Sequence, residues 1–196
     1  MIERQSGILR QAVIHLARVD GWRITELKVQ RVISFVHEYI EHAPALMTMI
    51  EEAATNDSTK EDVQLILDAT DDYFLASDDI IPDHLGLVGL MDDAYMTHSL
   101  MQAISDRYKS ESGHSLLPLE SHDVNAFVRR LIGEPFAGIL DEHVSATLAR
   151  HDLQQNLDRV LAALAQLNLS AGPDPMWGYA RASEIASSRL GAMAVI

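Results

Sequence analysis

The chain has no cysteine among its 196 residues. That excludes disulfides, thiolate metal sites and a cysteine nucleophile, and it suits a reducing compartment. Aromatic residues are scarce, at 6%. No segment approaches the roughly 20 consecutive apolar residues that a membrane helix needs. The start, "MIERQSGILRQAVIHLARVDG", lacks the continuous apolar core and small-residue cleavage site of a signal peptide. The expectation is a soluble cytoplasmic protein. Basic residues are also few, 15 against 29 acidic ones, for a net charge of −14. Such a field repels phosphate backbones and anionic lipid surfaces, so nucleic acid and membrane are not expected partners.

What remains is apolar material for a core, 47% of the chain, arranged with helical rather than strand periodicity. The expected fold is all-α, a single compact domain of about eight helices over residues 1–196. A possible subdivision falls in the polar stretch "KSESGHSLLP", leaving residues 1–110 and 119–196. A first helix is expected over 8–19, stopped at Asp20-Gly21. A second runs from a cap at Thr25 to about His42. Pro44 then suits the first turn of a third, to about Ala54. Ser58 and Glu61 have capping-box spacing ahead of a stripe from Val63 to Phe74. Further helices are expected from the Gly89 region to about Tyr108, near 121–131, over 135–150, from a cap at Asp152, and from Met176 to Leu190. Leu153, Leu157, Val160, Leu164 and Leu167 alternate steps of four and three. That narrow seam suits an antiparallel neighbour or self-association.

Charge is most uneven between Glu61 and Asp106, which carries eleven acidic residues and no lysine or arginine. Its centre is "SDDIIPDHLGLVGLMDD", residues 77–93. Crowded carboxylates need helix N-termini, arginines from elsewhere or a bound cation to offset their repulsion. Pro82 disfavours helix at Ile81, and Asp83 follows in a good position to cap what comes next. Gly86 and Gly89 permit tight turning. If the long helix begins only after Gly89, Asp92 and Asp93 fall in its first turn. On a wheel whose core face is Leu90, Ala94, Thr97, Met101, Ile104 and Tyr108, Asp93 lies about 60° from the centre and Asp92 about 160° away. Asp92 is then expected to face solvent, His98 to sit at the boundary, and Asp93 to be the better ligand.

The stretch "DIIPDHLGLVGLMDD" resembles the signature of the YkvA-like family, a short bacterial domain of unknown function. The family pattern is close to D-[LI]-I-P-D, five residues, then G-x-x-D-D. Asp79, Ile81, Pro82, Asp83, Gly89, Asp92 and Asp93 fall on its marked positions, and "YFLAS" fits the run that leads in. The likeness covers roughly residues 70–108. Ser77 stands where relatives often have proline, and Asp78 where they often have an apolar residue. Relatives also tend to be more apolar here; His84, Thr97, His98 and Ser99 make peripheral membrane association unexpected. The resemblance implies a helical fold and marks the same aspartates, but it carries no established activity.

Two chemical readings compete for Asp79, Asp83, Asp92 and Asp93. In one, short carboxylates accept backbone N–H bonds at a helix–loop–helix corner. In the other they form a divalent-cation site, for Mg²⁺ or Ca²⁺ because only hard oxygen ligands are on offer. A surface for a basic protein partner is a third use of the same charge. "HEYIEH", residues 37–42, misses the zinc-protease motif because Glu41 stands where histidine is required. It makes ordinary i,i+4 pairs instead. The pairs His122-Asp123 and His151-Asp152 lack the further ligands of a metal phosphohydrolase. No nucleophile–base constellation and no phosphate loop is present. The expected function is therefore a non-enzymatic accessory or interaction protein. The alternative is a divalent-metal-dependent hydrolase using Asp79, Asp83 and Asp93.

Overall fold

A computed structural model describes residues 6–53, 64, 80–113, 121–150 and 158–159. These form five α-helices and one 3-10 segment, with no strand among the described residues. In chain order they are α1 (Gly7–Val19), α2 (Glu26–Ala53), the 3-10 segment (Asp83–Val88), α3 (Gly89–Ser112), α4 (Ser121–Ile132) and α5 (Phe136–Leu148). The all-α expectation holds for this part. Apart from residues 64 and 158–159, the helices expected over 58–76, 152–168 and 176–190 lie outside the described residues, as do all five residues of the Leu153–Leu167 seam.

Leu9, Val13 and Ala17 recur every four residues and bury one side of α1. The helix ends in a Schellman turn. Gly21 takes φ 70°, its N–H reaching the Arg18 carbonyl, while the Trp22 N–H reaches the Ala17 carbonyl at 2.7 Å. Thr25 Oγ1 accepts the Lys28 N–H at 3.4 Å ahead of α2.

The expected break at Pro44 is absent: α2 runs through it. Proline inside a helix costs about 3 kcal/mol or more. Here Val36, Tyr39, Ala43 and Leu46 form one buried stripe on both sides of the ring. Burying an aliphatic side chain contributes about 1.5–3 kcal/mol, so keeping both turns on the core offsets the local defect. Pro44 faces outward, and its carbonyl accepts the Thr48 hydroxyl at 3.1 Å.

The central element is α3, which packs against α2, α4, α5 and the 3-10 segment. It starts at Gly89, close to the expected start just after it, but continues past Tyr108 to Ser112, where Gly113 closes it in the left-handed conformation at φ 77°. The helices α4 and α5 fall close to their expected spans and bury Val124, Phe127, Val128 and Leu131, and Ala137, Leu140 and Val144. Among the described residues no helix is long and apolar enough to cross a membrane.

Candidate functional site

The acidic motif folds as a corner leading into α3. Pro82, not Asp83, occupies the position before the 3-10 segment; Asp83 is its first residue. This corrects the expected cap, because the turn already begins at the proline, whose carbonyl accepts the Leu85 N–H at 2.9 Å. Gly86 adopts φ 74° and ψ −131°, a conformation closed to residues with a side chain, and it kinks the segment.

Asp92 is the largest departure from the sequence reading. It is 1% exposed rather than facing solvent. Its Oδ2 accepts the backbone N–H of Ile81 at 3.0 Å, and its Oδ1 accepts the N–H of Asp93 at 3.1 Å. The wheel failed because neighbours cover α3 on more than one side at this level, and the exposed side is not the one the wheel assigns. Met91, Tyr95, Met96 and Leu100 are buried together with Ala94, Thr97, Met101 and Ile104, whereas Leu90, assigned to the core face, is 43% exposed. Burial raises the Asp92 carboxyl to about pKa 7; the bond from Ile81 works against that rise, and the neighbouring Asp93 carboxylate adds to it. Asp92 therefore titrates near neutrality.

Asp93 is partly buried, in keeping with its boundary position, and its carbonyl accepts the Thr97 hydroxyl at 3.1 Å. Asp79 lies outside the described residues, and the Asp83 side chain is likewise not described. Of the four proposed ligands, the structure thus places the carboxyls of Asp92 and Asp93 only. Among the described residues no group of three or more His, Asp or Glu side chains is arranged to hold a metal ion. Asp92 uses both oxygens on backbone donors, which is the capping chemistry of the corner reading.

A second polar assembly lies inside the core and was not foreseen. His98, expected at the boundary, is fully buried. Its ring stacks on Tyr39 of α2, with centroids 3.9 Å apart and planes 14° from parallel. His98 Nε2 lies 3.0 Å from the Tyr39 carbonyl. A carbonyl only accepts, so the Nε2–H tautomer is present. The Tyr39 hydroxyl donates to Asn125 Oδ1 of α4 at 2.9 Å, and Asn125 Nδ2 donates to the His98 carbonyl at 3.3 Å. The three residues close a ring that joins α2, α3 and α4. Burial lowers the His98 pKa to about 3, so the imidazole is neutral at physiological pH. A wheel cannot reveal such a ring. Its only trace in the sequence is a run of polar residues on a helix whose apolar residues point in every direction.

A third cluster fastens the other flank. Tyr95 donates to Asp141 Oδ1 at 2.7 Å, and Arg129 Nε holds Asp141 Oδ2 at 2.7 Å while its Nη2 reaches Glu134 at 2.8 Å. Burial, together with the bond to Asp141, pushes the Tyr95 phenol up to about 12.

The weaker histidine motifs have structural partners. His37 and Glu41 are 3.8 Å apart as an i,i+4 pair. His122 Nε2 meets Asp106 at 3.0 Å, and Asp123 lies in the first turn of α4. His151 and Asp152 lie outside the described residues. Comparison of the chain with protein-family models, curated proteins and solved structures gives no match.

Proposed function

We propose that the protein is a non-enzymatic cytoplasmic accessory module of the YkvA-like kind, acting by binding a protein partner. In this reading the aspartate motif is a structural corner whose outer carboxylates give the partner-facing surface its charge, which favours a basic partner. The carrying observation is the engagement of both Asp92 oxygens by the N–H groups of Ile81 and Asp93. A carboxylate that binds its own backbone is stabilising a turn. The whole chain, in the same reading, forms one domain of about eight helices that self-associates through Leu153–Leu167. A mass in solution that stays monomeric at every concentration would count against that last feature.

The test is thermal melting with Mg²⁺, Ca²⁺ or Mn²⁺ against sodium chloride at matched ionic strength, since salt alone relieves a charge of −14. A cation binding only the folded state at 100 times its dissociation constant adds about 2.7 kcal/mol. At roughly 2–4 °C per kcal/mol, that shift is easily read. We expect no shift beyond the salt control. A metal-specific shift that disappears in Asp83→Asn would sink the proposal and favour the hydrolase built on Asp79, Asp83 and Asp93.

A further inference from the structure

Among the described residues a single buried side-chain nitrogen or oxygen has no hydrogen-bond partner: Gln102 Oε1 of α3. Gln102 is 9% exposed, so bulk water does not serve that oxygen. A buried acceptor left without a donor is costly. Native folds keep few such groups, and a bound ion is one of the things that account for them.

The place of Gln102 in the fold is well defined. His98, Gln102 and Asp106 follow at steps of four and share one side of α3. On α4, His122 and Asn125 are three apart and share a side as well. The two helices therefore meet at two polar levels. At the inner one, Asn125 Nδ2 donates to the His98 carbonyl at 3.3 Å. At the outer one, His122 Nε2 stands 3.0 Å from Asp106 Oδ1. Gln102 lies between them, and its Nε2 donates to the same Asp106 oxygen at 3.3 Å.

One carboxylate oxygen thus takes two donors, while the amide oxygen beside them takes none. The two ends of an amide exchange places when the side chain turns about its last bond. With Oε1 turned to Asp106 and the imidazole free of its Nε2 proton, three lone pairs converge. Left alone they repel one another; a cation among them removes the repulsion and engages the orphaned oxygen. Zinc binds nitrogen and oxygen at about 2.0–2.2 Å, which sets neighbouring ligand atoms about 2.9–3.4 Å apart in octahedral or tetrahedral geometry. Separations of 3.0 and 3.3 Å fit without moving either helix. An imidazole nitrogen among the ligands suits Zn²⁺ rather than Mg²⁺ or Ca²⁺, which prefer oxygen alone. The side chains of His122 and Asp106 are about half exposed, so an ion can enter and water can complete its shell. Asp123, also in the first turn of α4, offsets the positive end of that helix.

We propose that Gln102, Asp106 and His122 bind one Zn²⁺ at the outer end of the contact between α3 and α4. The site is separate from the acidic corner and does not rest on the function proposed for it.

Calorimetric titration with Zn²⁺ tests it, on the wild type, His122→Ala, Asp106→Asn, Gln102→Leu and Gln102→Glu. His37→Ala, which removes another surface histidine–carboxylate pair, is the control. Losing an outer partner already weakens metal sites by about 10–100-fold, so losing a ligand should weaken this one by about tenfold or more. The expected result is a binding event weakened to that extent by His122→Ala and by Asp106→Asn, and unchanged by His37→Ala. Gln102→Leu should weaken it likewise, whereas Gln102→Glu, which keeps an oxygen at the same place, should bind at least as tightly as the wild type. Circular dichroism checks that each variant folds. Equal zinc binding by the wild type and His122→Ala overturns the proposal. So does wild-type zinc affinity in Gln102→Leu, which would make the orphaned oxygen a packing defect or a water site. A response to Mg²⁺ that depends on Asp83 belongs to the acidic corner, so the two sites stand or fall separately.

Discussion

The imidazole of His98 lies flat on the phenol ring of Tyr39, 3.9 Å between centroids, and the same residue's Nε2 meets the Tyr39 carbonyl at 3.0 Å. One residue of α3 is thus held by both the side chain and the main chain of one residue of α2. Asn125 completes the arrangement from α4. A buried network is stabilising only while every member is satisfied. Removing one member takes a hydrogen bond from the others where water offers no ready substitute.

Asn125→Ala is therefore expected to cost about 1–3 kcal/mol, because the buried Tyr39 hydroxyl loses its Asn125 acceptor and the His98 carbonyl loses the donor it has besides the helix. Tyr39→Phe removes a donor but leaves the ring stack intact, so it should cost less. Chemical denaturation of the two single variants and the double variant gives the coupling. We expect the double variant to cost about 0.5–3 kcal/mol less than the sum of the two single variants. Strictly additive costs would show that the ring does not act as a unit.

Pro44→Ala is expected to stabilise the protein. The substitution restores a backbone donor for the Ile40 carbonyl at an exposed site inside α2 and removes the clash of the proline ring. The unfolded chain gains freedom worth about 0.4–1 kcal/mol, which subtracts from the benefit. The net expectation is a gain of about 2 kcal/mol, read as a raised melting temperature. A loss of stability would mean that the kink itself is needed to seat Ala43 and Leu46.

Where the sequence was legible, the signals were local. Gly21 and Gly89 stand at or beside helix ends, and the spacing of Leu9, Val13 and Ala17 gives α1 its buried side. These features depend on neighbours a few residues away. Pro44, Asp92 and His98 were misjudged because their environments are set by distant parts of the chain. Pro44 is overruled by a core stripe running past it. Asp92 is covered by the loop at Ile81, and His98 by α2 and α4. A wheel assumes one broad wet side, and α3, packed against α2, α4, α5 and the 3-10 segment, keeps none at Asp92 or His98. Met91, Met96 and Leu100, lying off the assumed face, were the available warning.

His98 makes the fold acid-sensitive. Its pKa is about 3 in the folded protein and 6.5 without burial, so between those values the unfolded chain binds the extra proton. The stability linked to His98 is fully present above pH 6.5 and is lost as pH falls toward 3. His98→Phe keeps a ring against Tyr39 but cannot protonate. It should lower stability at pH 8, where a hydrogen bond to a buried carbonyl is lost, by about 1–3 kcal/mol. The deficit should shrink or reverse by pH 4. A deficit that does not change with pH would mean that His98 titrates normally.

Asp92 has the opposite slope over nearly the same window. Its carboxyl holds its proton to about pH 7 in the folded protein and to 3.8 when burial is absent. The folded state binds the extra proton between these values. The stability linked to it is fully present below pH 3.8 and is lost as pH rises through 7. Between about pH 4 and 6.5 the two buried groups therefore offset each other in the wild-type protein, and single substitutions expose them. Asp92→Asn retains an oxygen to accept the Ile81 N–H but cannot ionise. Relative to wild type it should gain stability steadily from pH 4 to pH 8, by at least about 1 kcal/mol, given about 1.4 kcal/mol per pKa unit. At pH 4, where both side chains are neutral, the two proteins should melt close together. The measurement is a series of melting curves on both proteins across that range. A variant that is equally destabilised at every pH would show that Asp92 is ionised throughout, and that the Ile81 and Asp93 N–H groups hold it as a carboxylate.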